Sequence, residues 1–173
     1  MADTFRVGLT RDFLKDDGTL SLGDIGLELL DRATGVERVF LPENVSELRP
    51  ADLAGLDAVL VLGPRVSAAS LASADRLAIV ARFGVGYETV DVEACTQNGT
   101  VLTITPDGVR RPVATSVLTL MLALTHRLLN KHTLTREGRW NEKLDYMGMG
   151  LTGRTLGVIG LGNIGRDIIA LTA

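Results

Sequence analysis

Apolar runs recur at intervals along the first hundred residues, separated by segments of mixed polarity. Residues 57–62, Asp-Ala-Val-Leu-Val-Leu closed by Gly63-Pro64, form an unbroken run, the pattern of a strand buried on both faces of a parallel sheet. Residues 5–9, 36–41, 77–83 and 100–104 read as four further strands. Between them, residues 22–30 show the near-helical spacing of one apolar face, and helix signals follow Ser67. Asp91 is placed to cap a helix over 92–97, which Asn98-Gly99 would end. Five strands alternating with helices predict an α/β fold with a parallel sheet and right-handed crossovers, filling residues 1–105.

Thr105-Pro106-Asp107-Gly108 breaks this rhythm and marks the expected domain boundary. Beyond it come a long helix near 113–130, an irregular segment around Gly138-Arg139-Trp140, and a new strand opening near Thr155. Residues 113–129 are the most apolar stretch, but Thr115, Ser116, Thr119, Thr125, His126 and Arg127 interrupt them. A bilayer span needs about 20 mostly apolar residues, so a buried helix is expected instead.

The composition fits a globular protein: of 173 residues, 46% are hydrophobic and 23% charged. Eighteen basic against 21 acidic residues leave a net charge of −3 and no basic block, which argues against nucleic-acid and membrane-surface partners. One cysteine and two histidines supply neither an internal disulfide nor a zinc cage of the usual spacing, so no metal is expected. The first residues, Met1-Ala2-Asp3-Thr4-Phe5-Arg6, lack the features of a secretory signal, and a cytoplasmic location is the expectation.

Glycine is over-represented, with 19 residues, and its sharpest use is Gly160-x-Gly162-x-x-Gly165. A predicted strand precedes this motif and a predicted helix over 164–170 follows, the context in which its glycines have a mechanism. Gly160 would permit a tight turn, Gly162 would let the backbone approach a pyrophosphate, and Gly165 would allow close packing of helix on strand. Phosphates would sit at the helix N-terminus, where unpaired N–H groups and the dipole favour negative charge. The motif alone leaves two alternatives: a glycine-rich turn without a ligand, and a methyl-donor site of the kind methyltransferases build after a first strand. The acidic residue that would read the adenosine ribose is expected about 20 residues beyond the glycines, past Ala173, so NAD and NADP are not distinguished.

Four segments, taken in order, resemble the D-isomer-specific 2-hydroxyacid dehydrogenases, and within them the phosphoglycerate dehydrogenase-like branch. They are Arg82-Phe83-Gly84-Val85-Gly86-Tyr87-Glu88-Thr89-Val90-Asp91; Thr105-Pro106-Asp107-Gly108 followed by Val113-Ala114; Gly138-Arg139-Trp140; and residues 151–157 leading into the glycine motif. The resemblance is clear over residues 55–173. It implies a flavodoxin-like substrate domain over 1–105. The beginning of a Rossmann-type NAD(P)-binding domain would follow over 106–173, with the active site between the two domains. It also implies a homodimer through the long helix near 113–130. Val85 and Gly86 would present backbone amides to the carboxylate of a small 2-hydroxy or 2-keto acid, with Val85 also near the nicotinamide. Gly160, Gly162, Asn163, Ile164 and Gly165 would hold the cofactor, NAD or NADP. Three departures stand out: Glu88-Thr89 where the family favours Asp-Asn, Thr115 where it favours Glu, and Arg65 set back from the strand end behind Gly63-Pro64.

Hydride transfer to a 2-keto acid needs a positioned acid and a cation that polarises the keto group. In the family these are a His paired with a carboxylate, and an Arg, all C-terminal to the glycine motif; here they are expected beyond Ala173. His126, His132, Tyr87 and Tyr146 match no catalytic motif, Cys95 reads as a small core residue, and Trp140 as a packing anchor. The basic pair in Arg110-Arg111-Pro112 reads as part of a solvated loop, with contact to an acidic substrate as the alternative. The 173 residues alone are therefore expected to be a catalytically incomplete N-terminal part; a non-catalytic dimerising or regulatory fragment is the alternative.

Overall fold

Parallel pairing runs through the whole N-terminal sheet. The computed structural model describes residues 4–173, and five strands, β1 (Phe5–Leu9), β2 (Val36–Phe40), β3 (Ala58–Val61), β4 (Ile79–Arg82) and β5 (Val101–Thr103), lie in the order β2-β1-β3-β4-β5. This 2-1-3-4-5 order is that of flavodoxin-like sheets. Val59 is central, paired with Gly8 on one side and Val80 on the other. It is fully buried, as are Val61, Val80 and Leu9. The unbroken apolar run of β3 thus reflects cover on both sheet faces.

Short helices connect the strands: α1 (Glu28–Asp31), α2 (Pro50–Leu53), α3 (Ala68–Leu71) and α4 (Val92–Asn98). Leu53, Leu71, Ala94 and Cys95 carry their buried faces into a core with Leu48, Leu56, Val66 and Leu77. The predicted cap of α4 forms as expected: the Asp91 carboxylate accepts from the Ala94 amide at 2.9 Å. Gly99 closes the helix in the left-handed conformation, φ +73°. The helix expected over 22–30 shrinks to the single turn of α1. Gly23 and Gly26 both take positive φ, which a continuing right-handed helix excludes, and Leu22 and Leu29 are exposed.

The chain divides into two compact units, 1–106 and 107–173. The regular structure of the second is helical: α5 (Pro106–Thr125), α6 (Leu128–Arg136), a 3-10 segment Trp140–Tyr146, and α7 (Asn163–Thr172). The long helix starts earlier than expected because Pro106 suits a first helical position, and Pro112 is carried inside it. It ends at Thr125, and Arg127 in the left-handed region (φ 51°) turns the chain by 60° into α6.

The expectation that 113–129 is a buried helix is corrected. Ala114 is buried, but Val113, Leu120, Leu122, Leu124, Leu128 and Leu129 are exposed. No single described helix is long and apolar enough to cross a membrane; α5 and α6 reach that composition only together, across their bend. The strand expected near Thr155 is also absent: residues 155–159 are irregular and Ile159 is fully exposed. A strand exists through its ladder, and no described residue pairs with this segment.

Candidate functional site

At the C-terminal edge of the sheet, where α/β folds place their ligands, three strand exits converge. Beyond β1, the buried Thr10 hydroxyl accepts from the Leu62 amide at 3.2 Å, fixing the β1 and β3 exits together. The Phe83 amide donates to the Val61 carbonyl at 2.9 Å, carrying that bracing to β4. The Phe13 and Phe83 rings meet edge to face at 5.4 Å.

The loop after β4 is built on glycine. Gly84 has φ +145°, a conformation side chains rarely adopt, and its carbonyl accepts from the Thr105 amide at 2.8 Å. The Arg82 guanidinium folds back over it and donates to the Phe83 carbonyl. A Cβ at Gly84 would lie 2.9 Å from Arg82 Nη1, and one at Gly86 would lie 2.7 Å from a Glu88 carboxylate oxygen. Val85 and Gly86 are partly buried, and neither amide donates to an acceptor among the described residues. Two adjacent N–H groups at a strand exit are thus left without an internal acceptor among the described residues.

In the second unit, the glycine motif becomes a turn and a helix N-terminus. Gly160 has φ +91°. A Cβ at Gly165 would lie 2.3 Å from the Gly160 carbonyl oxygen, so only glycine lets α7 return this closely onto the turn. Gly162 is the N-cap residue of α7, in extended backbone (φ −77°, ψ −165°), with no side-chain cap. A Cβ there would meet nothing within 4 Å, so the space before the helix is open. The first amides of α7, at Asn163, Ile164 and Gly165, have no partner within a helix by its geometry. On its inner face, Asp167 draws in both arginines of α5, at 3.4 Å from Arg110 Nε and 3.3 Å from Arg111 Nε. The loop expected at Arg110-Arg111 is instead a turn of α5, where both arginines, still partly exposed, form ion pairs with a largely buried carboxylate.

Other singled-out residues resolve individually. Thr115 spends its hydroxyl on the Arg111 carbonyl of its own helix, at 2.9 Å. Arg65 lies 4.0 Å from Glu47 and is exposed. His126 and His132 are exposed and pair with no carboxylate among the described residues. Trp140 is exposed, with the Lys143 ammonium 4.9 Å from its ring centre, which corrects its reading as a packing anchor. Cys95 is buried as expected, and burial, helped by the Asp91 charge, raises its thiol above the usual range. Asp12 lies in no sequence motif. Its carboxylate packs on Gly63 at the β3 exit, where a Cβ would lie 2.8 Å from Oδ2, and its Oδ1 is buried without a hydrogen-bond partner.

Comparison with known proteins agrees with this architecture. Residues 19–170 match the family described as D-isomer specific 2-hydroxyacid dehydrogenase, catalytic domain. A glyoxylate reductase of Thermococcus gammatolerans is 38% identical over 116 residues, 64% of this chain and 35% of the relative. A D-3-phosphoglycerate dehydrogenase of Methanocaldococcus jannaschii is 32% identical over 161 residues, 93% of this chain and 29% of the relative. Among solved structures, the NADPH-dependent glyoxylate/hydroxypyruvate reductase of Sinorhizobium meliloti, in complex with NADP and malonate, superposes with a TM-score of 0.71 at 29% identity. That match covers 98% of this chain and 50% of that one. A Thermus thermophilus protein superposes with a TM-score of 0.75 at 27% identity, covering 96% of this chain and 52% of that one. The chain thus spans about a third of these two curated relatives and half of the solved ones. With the sheet order, the glycine turn and a family match over most of its length, this chain belongs to the D-isomer specific 2-hydroxyacid dehydrogenases.

Proposed function

We propose that the chain carries two binding elements of an NAD(P)-dependent oxidoreductase that interconverts a small D-2-hydroxy acid and its 2-keto acid. The observation that carries the reading is the pair of glycine-built amide sites. In the unit over residues 1–106, the free N–H groups of Val85 and Gly86 would hold the substrate carboxylate. In the unit over 107–173, Gly160, Gly162 and Gly165 would shape a turn whose following amides, at Asn163 and Ile164, hold a pyrophosphate.

The residues fit such a group. The N-terminus of α7 is uncapped, and Gly162 leaves open the volume that a Cβ would fill. A bound nicotinamide would supply the hydride acceptor or donor. The chain's own contribution is orientation: amides at a strand exit fix a carboxylate without a counter-cation, and α7 fixes a diphosphate through N–H groups and dipole. Because His126 and His132 stand without carboxylate partners, we assign the proton-transfer role to neither.

The reading includes a second copy of this chain. Val113, Leu120 and Leu124 follow one another at helical spacing on α5 and are exposed, an apolar stripe suited to pairing. Leu124→Arg would shift an equilibrium dimer to monomer in sedimentation velocity; a monomeric wild type would remove the dimer, and a variant that stays dimeric would remove α5 as its interface.

The cofactor reading is tested by calorimetric titration of the chain with NADH and with NADPH, in wild type and in Gly162→Val. Extended backbone at Gly162 tolerates valine, so the variant folds while its side chain occupies the open volume. Saturable wild-type binding, weakened at least tenfold in the variant, is expected. Equal affinities in the two proteins would overturn it.

A further inference from the structure

Asp12 stands three residues beyond β1, at the sheet edge that carries the Val85–Gly86 loop. Its carboxylate lies against the Gly63 turn that closes β3, and Oδ1 is buried with no hydrogen-bond partner. The next residue, Phe13, is buried with its ring on Phe83, one residue before the glycines of the loop. The carboxylate is therefore held at the strand exits, against the Gly63 turn.

No cation neutralises it among the described residues. Arg11 turns its guanidinium to the carbonyls of Leu14 and Lys15, at 2.9 and 3.2 Å. Arg65 is directed to Glu47. Arg82 gives one nitrogen to the Phe83 carbonyl, and its Nε is buried without a partner. A buried carboxylate oxygen without a donor is costly, and a ligand can relieve that cost by supplying one.

We propose that Asp12 is a specificity-determining residue that sets the substrate class. It accepts a hydrogen bond from a hydroxyl on the tail of a short 2-hydroxy or 2-keto acid, and it repels substrates whose tail ends in a phosphate or a second carboxylate. The two ends of the substrate are thus read by opposite chemistry: amide donors at Val85 and Gly86 for the carboxylate, and an acceptor at Asp12 for the tail. Discrimination comes as much from the repulsion as from the new hydrogen bond. This inference rests on the reading of the Val85–Gly86 loop as the carboxylate site.

Amide-resolved NMR titrations of the whole chain with D-glycerate and with 3-phosphoglycerate test both levels separately. In wild type, D-glycerate is expected to shift the Val85 and Gly86 amides and to bind at least tenfold more tightly than 3-phosphoglycerate. Asp12→Asn keeps the shape and one acceptor oxygen but removes the charge. It is expected to leave D-glycerate affinity within about threefold while raising 3-phosphoglycerate affinity, so that the ratio narrows. Dispersed amide signals in the variant verify its fold, and the ratio of two ligands is insensitive to a merely structural role. If both ligands shift the loop amides with equal affinity, or the ratio survives Asp12→Asn, the role of Asp12 is overturned and the loop reading stands. If neither ligand shifts Val85 or Gly86, the loop reading falls and this inference with it.

Discussion

Asp57 ties together the starts of three strands, and its removal is the perturbation whose cost the structure defines best. Its carboxylate accepts from the Arg6 amide at 2.6 Å and from Arg76 at 2.7 Å (Nε) and 3.2 Å (Nη2). Its backbone accepts from Ala78 at 2.8 Å and donates to Arg6 at 2.9 Å. Asp57→Ala keeps the backbone bonds and deletes the carboxylate. A hydrogen bond to a charged group contributes about 1.5–3 kcal/mol. Here the Arg76 side chain is 40% exposed and the Asp57 side chain 12%, so water recovers much of the guanidinium's loss and the pair falls at the low end of that range. Adding the amide left without its acceptor, the total is about 2–3 kcal/mol.

The Arg76 guanidinium, with the Arg6 amide assisting against burial, holds the Asp57 carboxyl below its ordinary value. A depressed folded value means stabilisation that is fully present above the unfolded carboxyl's pKa of about 3.9 and is lost as pH falls through the folded value. Urea unfolding followed by far-ultraviolet circular dichroism should therefore show a midpoint lowered by about 1 M at neutral pH, for a slope of about 2–3 kcal/mol/M. The gap between wild type and variant should close as the acid limit is approached. Equal midpoints at neutral pH would refute the assignment of strand-tying to this carboxylate, as would a gap that does not shrink in acid.

Further outcomes follow from single contacts. Gly165→Ala would drive a methyl toward the Gly160 carbonyl oxygen, 2.3 Å away. It should destabilise the second unit by about 1–3 kcal/mol, seen as an earlier thermal loss of helix signal; an unchanged melt would mean that the turn yields freely. Cys95 is buried and its thiol is raised by that burial and by Asp91. It should react with an aromatic disulfide reagent only when denaturant opens the fold, whereas prompt native labelling would contradict its place in the core. Gly99→Ala, at φ +73°, should cost about 1 kcal/mol in the same urea assay through backbone strain at the end of α4.

What could be read before the structure was whatever rests on local pattern. The central strands announced themselves because parallel strands covered on both faces need continuous apolar runs, as residues 58–61 show. Asp91 and Gly99 marked α4 because capping is a local chemistry. The helix over 22–30 failed because apolar spacing does not report the positive φ that Gly23 and Gly26 adopt. The strand near Thr155 failed for another reason: pairing belongs to two segments, and its apolar pattern names only one of them.

At the two candidate sites, glycines 84 and 160, which take positive φ, and 165, which packs on the Gly160 carbonyl, were legible because such backbone demands glycine. The Asp167 clasp on Arg110 and Arg111, and the unpartnered oxygen of Asp12, were not. Both depend on residues that are distant in sequence and adjacent only once helices and strand exits come together.

The central claim is that one chain carries a carboxylate loop at Val85–Gly86 and a diphosphate turn at Gly160–Gly165. A single amide-resolved NMR experiment tests it most directly: the chain is titrated with oxalate and, separately, with NADH. The account predicts that oxalate shifts the Val85 and Gly86 amides, that NADH shifts those of Gly162, Asn163 and Ile164, and that Gly162→Val abolishes only the second response. Shifts elsewhere with these amides unmoved, or an NADH response indifferent to Gly162→Val, would contradict it.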